Sequence, residues 1–297
     1  MGDQMTKILA YHDQVRLVIV ETTDLVRQAQ ERHDTWQTST AALGRTLTAT
    51  LLLASNLKGQ DRMSISIKGN GPLGTIFADA DAHGNIRGFV ENPKVALELN
   101  SKGKIDVSGG VGLPGSLTVK KFIEHYEPFA GQVELVSGEL AEDFTYYMAV
   151  SEQTASSIGL SVLVNPDETV QAAGGFMIQL MPGATEETIQ ALEEALKKLD
   201  HLSKFFKQTN PVEPLMELLC GESGKIIEQK PIQFYCPCDR QRFELGLAML
   251  NSSDLQEIID DHQGAELQCH FCNQTYHFTD HEMQVIMDKK EKGEYDV

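Results

Sequence analysis

A chain of 297 residues with 41% hydrophobic content can bury a sizeable core without disulfides, as one large domain or two smaller ones. Its formal charge of −18 repels phosphate backbones and anionic lipid, which argues against nucleic-acid and membrane partners. Residues 1–11 lack the basic-then-apolar pattern of a secretory signal, and no apolar run nears the roughly 20 residues that span a bilayer, so a cytoplasmic location is expected.

Residues 16–22 (RLVIVET) read as a strand, and Asp24 offers an N-cap for a helix through about Arg32. A second, more apolar helix is expected over 38–57, where Leu43, Leu47, Leu51 and Ala54 recur at helical spacing and predict one buried face. From Met63 the period becomes two, with Met63, Ile65 and Ile67 alternating with polar neighbours. Further strands are expected over 75–78, 86–90, 116–120, 132–136, 162–164, 170–172 and 176–180, with glycine-rich turns between them.

Beyond Pro182-Gly183 the pattern turns helical. Ile189, Leu192, Leu196, Leu199, Leu202 and Phe206 form a stripe, with Thr185 as its N-cap and Glu186 and Glu187 in the first turn, where the helix dipole favours them. A short apolar helix over 215–219 precedes a polar stretch, 221–230, suited to a linker. Helices are expected over 240–250, 253–260 and 280–290, the last opened by a capping box of Thr279 and Glu282. The expected class is α+β: an N-terminal mixed domain with antiparallel-rich sheets over 1–180, a helical linker over 181–230 and a small C-terminal metal-binding domain over 231–297.

Two stretches match the dinucleotide-binding pattern G-x-G-x-x-G: Gly69 to Gly74 and Gly110 to Gly115. That pattern needs a helix start facing the pyrophosphate, whereas strand-like sequence follows both and each contains a proline. They read as tight turns that require glycine. Ser55-x-x-Lys58 copies one nucleophile spacing without its companion motifs and reads as a solvated helix end.

The strongest chemical signal is Cys236-Pro-Cys238 and Cys269-His-Phe-Cys272. Five cysteines in a reducing compartment favour metal or redox chemistry over a disulfide framework, and four thiolates in two close pairs suffice to close a tetrahedral zinc site. His270, His277 and His281 lie near enough in sequence to compete as ligands. Over 231–297 there are five Lys/Arg against thirteen Asp/Glu, unlike a nucleic-acid finger. Such a segment, with few large apolar side chains, would draw much of its folding free energy from the metal, on the order of 10 kcal/mol. Zinc-held thiolates are also the form that oxidants attack, so the same residues suit either an inert staple or a switch that ejects its metal on oxidation. An enzyme with a zinc-activated water would need one cysteine not to be a ligand. Cys220 reads as a small buried apolar residue.

The order C-P-C-D, a thirty-residue spacer and C-H-F-C resembles the thirty-three-kilodalton heat-shock protein family, redox-regulated holdase chaperones of the bacterial cytosol. Ala42 to Arg45, Leu57 to Gly59, Gly69 to Gly74, Ile86 to Gly88, Glu127 to Gly131, Tyr146 to Gln153 and the run from Gly174 to Ala184 carry the likeness through the rest of the chain. The resemblance implies a chaperone, not an enzyme, inactive while reduced and zinc-bound through Cys236, Cys238, Cys269 and Cys272. It implies that oxidation pairs Cys236 with Cys238 and Cys269 with Cys272, releases zinc and frees the linker. The activated protein would then bind unfolding client proteins without ATP, as a homodimer.

Overall fold

The computed structural model describes residues 2–199 and 201–295, which divide into two compact units, one ending at Tyr235 and the other beginning at Cys236. In the larger unit a hairpin of β1 (Gln4–Ala10) and β2 (Val15–Glu21) is followed by α1 (Thr23–His33) and α2 (Gln37–Leu53). Next come β3 (Arg62–Lys68), β4 (Thr75–Asp81), β5 (Asn85–Val90), a short α3 (Val107–Val111), β6 (Ser116–Phe122), β7 (Phe129–Glu134) and α4 (Ala141–Val150). A long hairpin, β8 (Ser156–Val164) and β9 (Val170–Leu180), leads to α5 (Glu186–Lys197), α6 (Ser203–Phe206), α7 (Val212–Cys220), β10 (Lys225–Pro231) and β11 (Gln233–Phe234). The strands form two sheets, in the orders β10-β1-β2-β9-β8 and β11-β5-β4-β3-β6-β7, antiparallel except where β11 joins β5. This is the antiparallel-rich α+β class expected from the sequence.

Helix α2 packs on strands of both sheets and is buried almost all round, not on one face as its leucine spacing predicts. The difference lies in its threonines. Thr46, Thr48 and Thr50 return their hydroxyls to the carbonyls four residues back, Ala42, Gly44 and Thr46, at 2.9, 2.8 and 2.7 Å. Each hydroxyl is thus satisfied inside the helix, and the methyl is left to pack. The helix also stops earlier than expected: Ala54–Asn56 is a 3-10 turn.

Sheet β10-β1-β2-β9-β8 carries a second core on its other face. Leu192 of α5, Phe206 of α6 and Leu215 and Leu219 of α7 pack against Ile8, Leu17, Ile19, Phe176 and Ile178. Thr185 accepts from the Thr188 amide and caps α5, and the apolar stripe divides between α5 and α6; Asp200 between them lies outside the described residues. Gly174 makes the packing possible. A β-carbon built there would meet the Phe206 ring at 2.3 Å.

Three parts of the larger unit differ from the sequence reading. The sequence reading has no strand before residue 16, because in β1 the buried Met5, Ile8 and Ala10 are too mixed with polar residues to announce one. Expected strands at 170–172 and 176–180 are one strand, because Gly174 and Gly175 stay extended where β9 pairs with both β2 and β8. The stretch read as a polar linker holds β10, which pairs with β1 through the register Met5↔Lys230 to Leu9↔Lys225 with one irregularity at Lys7/Ile8. Edge strands are held by backbone hydrogen bonds and tolerate charged, exposed side chains, so β10 has no apolar period to read.

The two glycine motifs have a structural use. They lie against each other: the Gly71 amide donates to the Val111 carbonyl at 2.8 Å and the Leu73 amide to that of Gly110 at 3.1 Å. A β-carbon on Gly69 would sit 2.0 Å from the Val111 oxygen, and Gly112 at φ 73° has the Gly71 nitrogen 2.2 Å from where its β-carbon would be. Strands β4 and β6 follow them, as the sequence predicts, in place of the helix a nucleotide site needs.

The smaller unit is built from α8 (Arg240–Ala248), α9 (Ser252–Asp260), a hairpin of β12 (Ala265–Gln268) and β13 (Thr275–Phe278), and α10 (Asp280–Glu291). Asp239, Asn251 and Thr279 cap the three helices with side-chain oxygens, and Thr279 and Glu282 form the expected reciprocal box. Its core gathers Leu247, Ala248, Leu255, Ile259, Phe278, Met283, Ile286 and Met287. This is a better core than composition suggests, yet small for a unit of this length. The Arg240 guanidinium lies 4.2 Å from the Phe278 ring centroid and donates to the His277 carbonyl and the Glu282 carboxylate at 2.7 and 2.6 Å, tying α8 to β13 and α10.

Candidate metal centre

The four cysteines named from spacing come together. Cys236 and Cys238 lie on the extended segment before α8, and Cys269 and Cys272 on the turn between β12 and β13. All four sulfurs lie within 4.8 Å of one another, with Cys236 Sγ 3.7 Å from Cys269 Sγ and Cys238 Sγ 3.3 Å from Cys272 Sγ. A zinc with sulfurs at about 2.3 Å sets tetrahedral edges of about 3.8 Å, close to the first of these separations and somewhat longer than the second. No pair is disulfide-bonded.

Local geometry explains why this turn presents its sulfurs. The Cys272 and Asn273 amides donate to the Cys269 carbonyl at 3.3 and 2.7 Å, Asn273 takes φ 57°, and the Cys269 amide closes the turn on the Gln274 carbonyl at 2.9 Å. Asparagine tolerates that left-handed backbone better than most residues. Curling the chain this way turns the Phe271 and Cys272 amides toward the Cys269 sulfur and the Gln274 amide toward that of Cys272. Amide donors stabilise thiolate over thiol, which is the form a metal binds.

Burial works against them. As metal-free thiols, Cys269 and Cys272 have proton affinities pushed above the ordinary cysteine range by desolvation, because charge would be costly there without a counter-ion. A divalent cation supplies that counter-charge, so donor set, spacing and electrostatics all fit a metal ion.

Sequence reasoning missed Tyr276. Its hydroxyl lies 3.1 Å from the Cys238 carbonyl and 3.4 Å from the Cys238 sulfur, and its ring packs on Phe243 with centroids 4.6 Å apart. The bond to Cys238 raises the Tyr276 proton affinity and keeps the phenol a donor. A tyrosine four residues past the last cysteine is no signal until the hairpin folds it back. Among the described residues, the histidines weighed as ligands stand outside the cluster; His277 Nδ1 lies instead 3.3 Å from a Glu266 carboxylate oxygen.

The fifth cysteine is elsewhere. Cys220 ends α7 in the core beneath the first sheet, and desolvation pushes its thiol up to about 12. At pH 8 almost none is thiolate, and the rate of alkylation should keep climbing well above pH 9. We expect native reduced protein to leave Cys220 unlabelled by iodoacetamide at pH 8 until the larger unit is unfolded, as peptide mapping would register. Labelling at the rate of a free thiol would contradict this burial.

Fold and site define a class: an α+β protein whose larger two-sheet unit is followed by a small unit organised around four cysteines able to hold a metal ion. The chain belongs to the Hsp33 family, whose model, described as Hsp33 protein, matches residues 3–279. It is 47% identical over 287 residues to the 33 kDa chaperonin of Bacillus subtilis, covering 97% of this chain and 99% of the relative. It is 48% identical over 293 residues to that of Geobacillus kaustophilus, covering 98% and 100%. The crystal structure of the 33 kDa chaperonin of Thermotoga maritima superposes with a TM-score of 0.91 at 34% identity, over 98% of this chain and 100% of that one. Family membership makes the protein a chaperone, not an enzyme, and implies that it binds client proteins. No described helix is long and apolar enough to cross a membrane.

Proposed function

We propose that the protein is an ATP-independent holdase of the cytoplasm, inactive while reduced with zinc on Cys236, Cys238, Cys269 and Cys272, and switched on by oxidation of those thiols. The observation that carries this reading is the gathering of four sulfurs within 4.8 Å in a small unit whose first cysteine follows Phe234 of β11 by two residues. Zinc, when bound, would hold the four sulfurs as thiolates and cross-link the two turns.

The chain's own residues supply the rest. One thiolate of a pair attacks peroxide, taking one oxygen as a sulfenic acid and releasing hydroxide; its neighbour then displaces that oxygen as water and closes a disulfide. Each disulfide consumes one peroxide, which takes two electrons from the two thiols, and the proposed pairs are Cys236–Cys238 and Cys269–Cys272. Disulfide sulfurs no longer ligate a metal, so the small unit is left with a core of eight buried side chains and no cross-link. Loss of order in that unit would pass along the chain into β11 and β10.

Residues 181–230 are proposed as the linker that comes loose. Strand β10 contributes few buried side chains, and lifting α5 to α7 would uncover Leu192, Phe206, Leu215 and Leu219 together with the sheet face of Ile8, Leu17, Phe176 and Ile178. An apolar patch of that kind suits an unfolding client or a second copy of the chain, and the acidic surface elsewhere would keep the complex dispersed. Nucleic acid and membrane are not among the proposed partners.

The test is aggregation of a heat-unfolded client, followed by light scattering, with the protein reduced and zinc-loaded or treated with peroxide at elevated temperature. Suppression by the oxidised form alone is expected. Equal suppression by both forms would refute the switch.

A further inference from the structure

In a chain of net charge −18, one pocket of the larger unit is cationic. A cavity of about 400 Å³ is lined by Lys7 of β1, Arg16 of β2, Lys58 and, from β10, Lys230, with Glu228 the one carboxylate among its lining residues. Lys7 pairs with Glu228 at 2.8 Å. Among the described residues the other three make no ion pair, although Lys230 lies in the field of the Glu228 and Asp81 carboxylates. Arg16 donates only to the Asn56 and Gln179 side-chain oxygens, at 3.1 and 3.5 Å, and to the Met181 sulfur at 3.7 Å. Lys230 donates to the Ala82 carbonyl at 3.1 Å, and Lys58 is exposed and makes no ion pair.

The other carboxylates nearby accept hydrogen bonds from backbone amides and make no ion pair with the lining cations. Asp61 accepts from the Lys58 and Glu124 amides at 3.3 and 3.0 Å, and Asp81 accepts from the His83 and Asn85 amides and the Asn85 side chain. Lys7, Arg16 and Lys230 are each half-buried, so they cannot simply swing into water to escape one another. Desolvation, and after it the neighbouring Lys7, lower the proton affinity of Lys230, and the Glu228 and Asp81 carboxylates offset this only in part.

We propose that this pocket binds a small multivalent oxyanion of the phosphate class, and that an anion seated there fastens β10 to β1 and β2. The tetrahedral oxyanion is the fitting chemistry because four cationic side chains line one cavity, three on strands and one on the turn after α2, with a single carboxylate among them. Two of the lining residues belong to β10, so the site is complete only while β10 is paired with β1. A ligand that binds only that state stabilises it by mass action. Anion binding itself stands apart from the redox reading; the two meet only in that a fastened β10 would resist release.

The reduced full-length protein is titrated with inorganic phosphate by calorimetry, with chloride replacing phosphate to hold ionic strength constant. Amide exchange of residues 225–231 is followed in the same buffers. We expect saturable one-to-one binding, exchange slowed about tenfold at ten times the measured Kd, and Kd raised about tenfold by Lys58→Gln and by Arg16→Gln, as loss of one charge-assisted bond predicts. Lys58 is exposed, so its substitution leaves the fold intact. Absence of saturable binding at matched ionic strength would overturn the proposal, as would binding indifferent to both substitutions. Saturable binding with unchanged exchange of 225–231 would refute the fastening of β10.

Discussion

Replacing Cys269 by serine should unfold residues 236–295 and loosen β11, β10 and the linker before them, while the two-sheet core around α2 stays folded. If zinc is held as proposed, about 10 kcal/mol of folding free energy is linked to its binding, and the remaining core of eight buried side chains is too small to replace it. Cys269 is the most consequential ligand to remove. It is buried, its sulfur receives two amide donors, and its carbonyl closes the turn that presents Cys272. A serine oxygen is shorter, harder and far less readily ionised than a thiol, so zinc affinity should fall by orders of magnitude. Amide exchange in α8, α9 and α10 should approach the unfolded rate, whereas α2 should stay protected. Full zinc stoichiometry with unchanged exchange in α10 would contradict it. Chelation of the wild-type protein should have the same effect.

Gly112→Ala should cost the larger unit about 3–5 kcal/mol, the range reserved for overpacking and backbone strain together. Two penalties coincide there. The backbone at φ 73° is one that alanine rarely adopts, and the new methyl would overlap the Gly71 nitrogen and the Asn70 side-chain oxygen at 2.2 and 2.6 Å. Relief would require parting the loop before β4 from the end of α3, breaking the amide bonds from Gly71 and Leu73. Denaturant unfolding of the larger unit would measure the loss. Gly103→Ala is the comparison: it also has positive φ, 67°, but nothing within 4 Å, so strain alone should cost about 1 kcal/mol. Equal losses at the two positions would refute the packing argument.

These glycines illustrate what a sequence discloses. The proline in each motif and the strand-like residues after it were enough to reject nucleotide binding. That the motifs pack on each other depends on contacts between positions about 40 residues apart, and no local pattern encodes it. The cysteine site was legible because metal ligation fixes residue type and spacing together. Tyr276 and the amides of Phe271 and Gln274 were not, since any residue supplies an amide and a tyrosine becomes a partner only when β13 folds back beside Cys238. Helix α2 was legible as a helix but not as a fully buried one, because threonine reads as polar until its hydroxyl is seen bonded within its own helix. Strand β10 lies at the sheet edge, where backbone hydrogen bonds hold it and leave no mark on side-chain periodicity, whereas the interior β1 mixes its buried Met5, Ile8 and Ala10 with polar residues.

The most direct measurement is zinc content and free-thiol count on the same sample before and after peroxide. The account predicts one zinc and five thiols per reduced chain, then no zinc and a single remaining thiol, Cys220, with disulfides mapped to Cys236–Cys238 and Cys269–Cys272. A reduced protein without metal, or one that keeps zinc and all its thiols through oxidation, would contradict it.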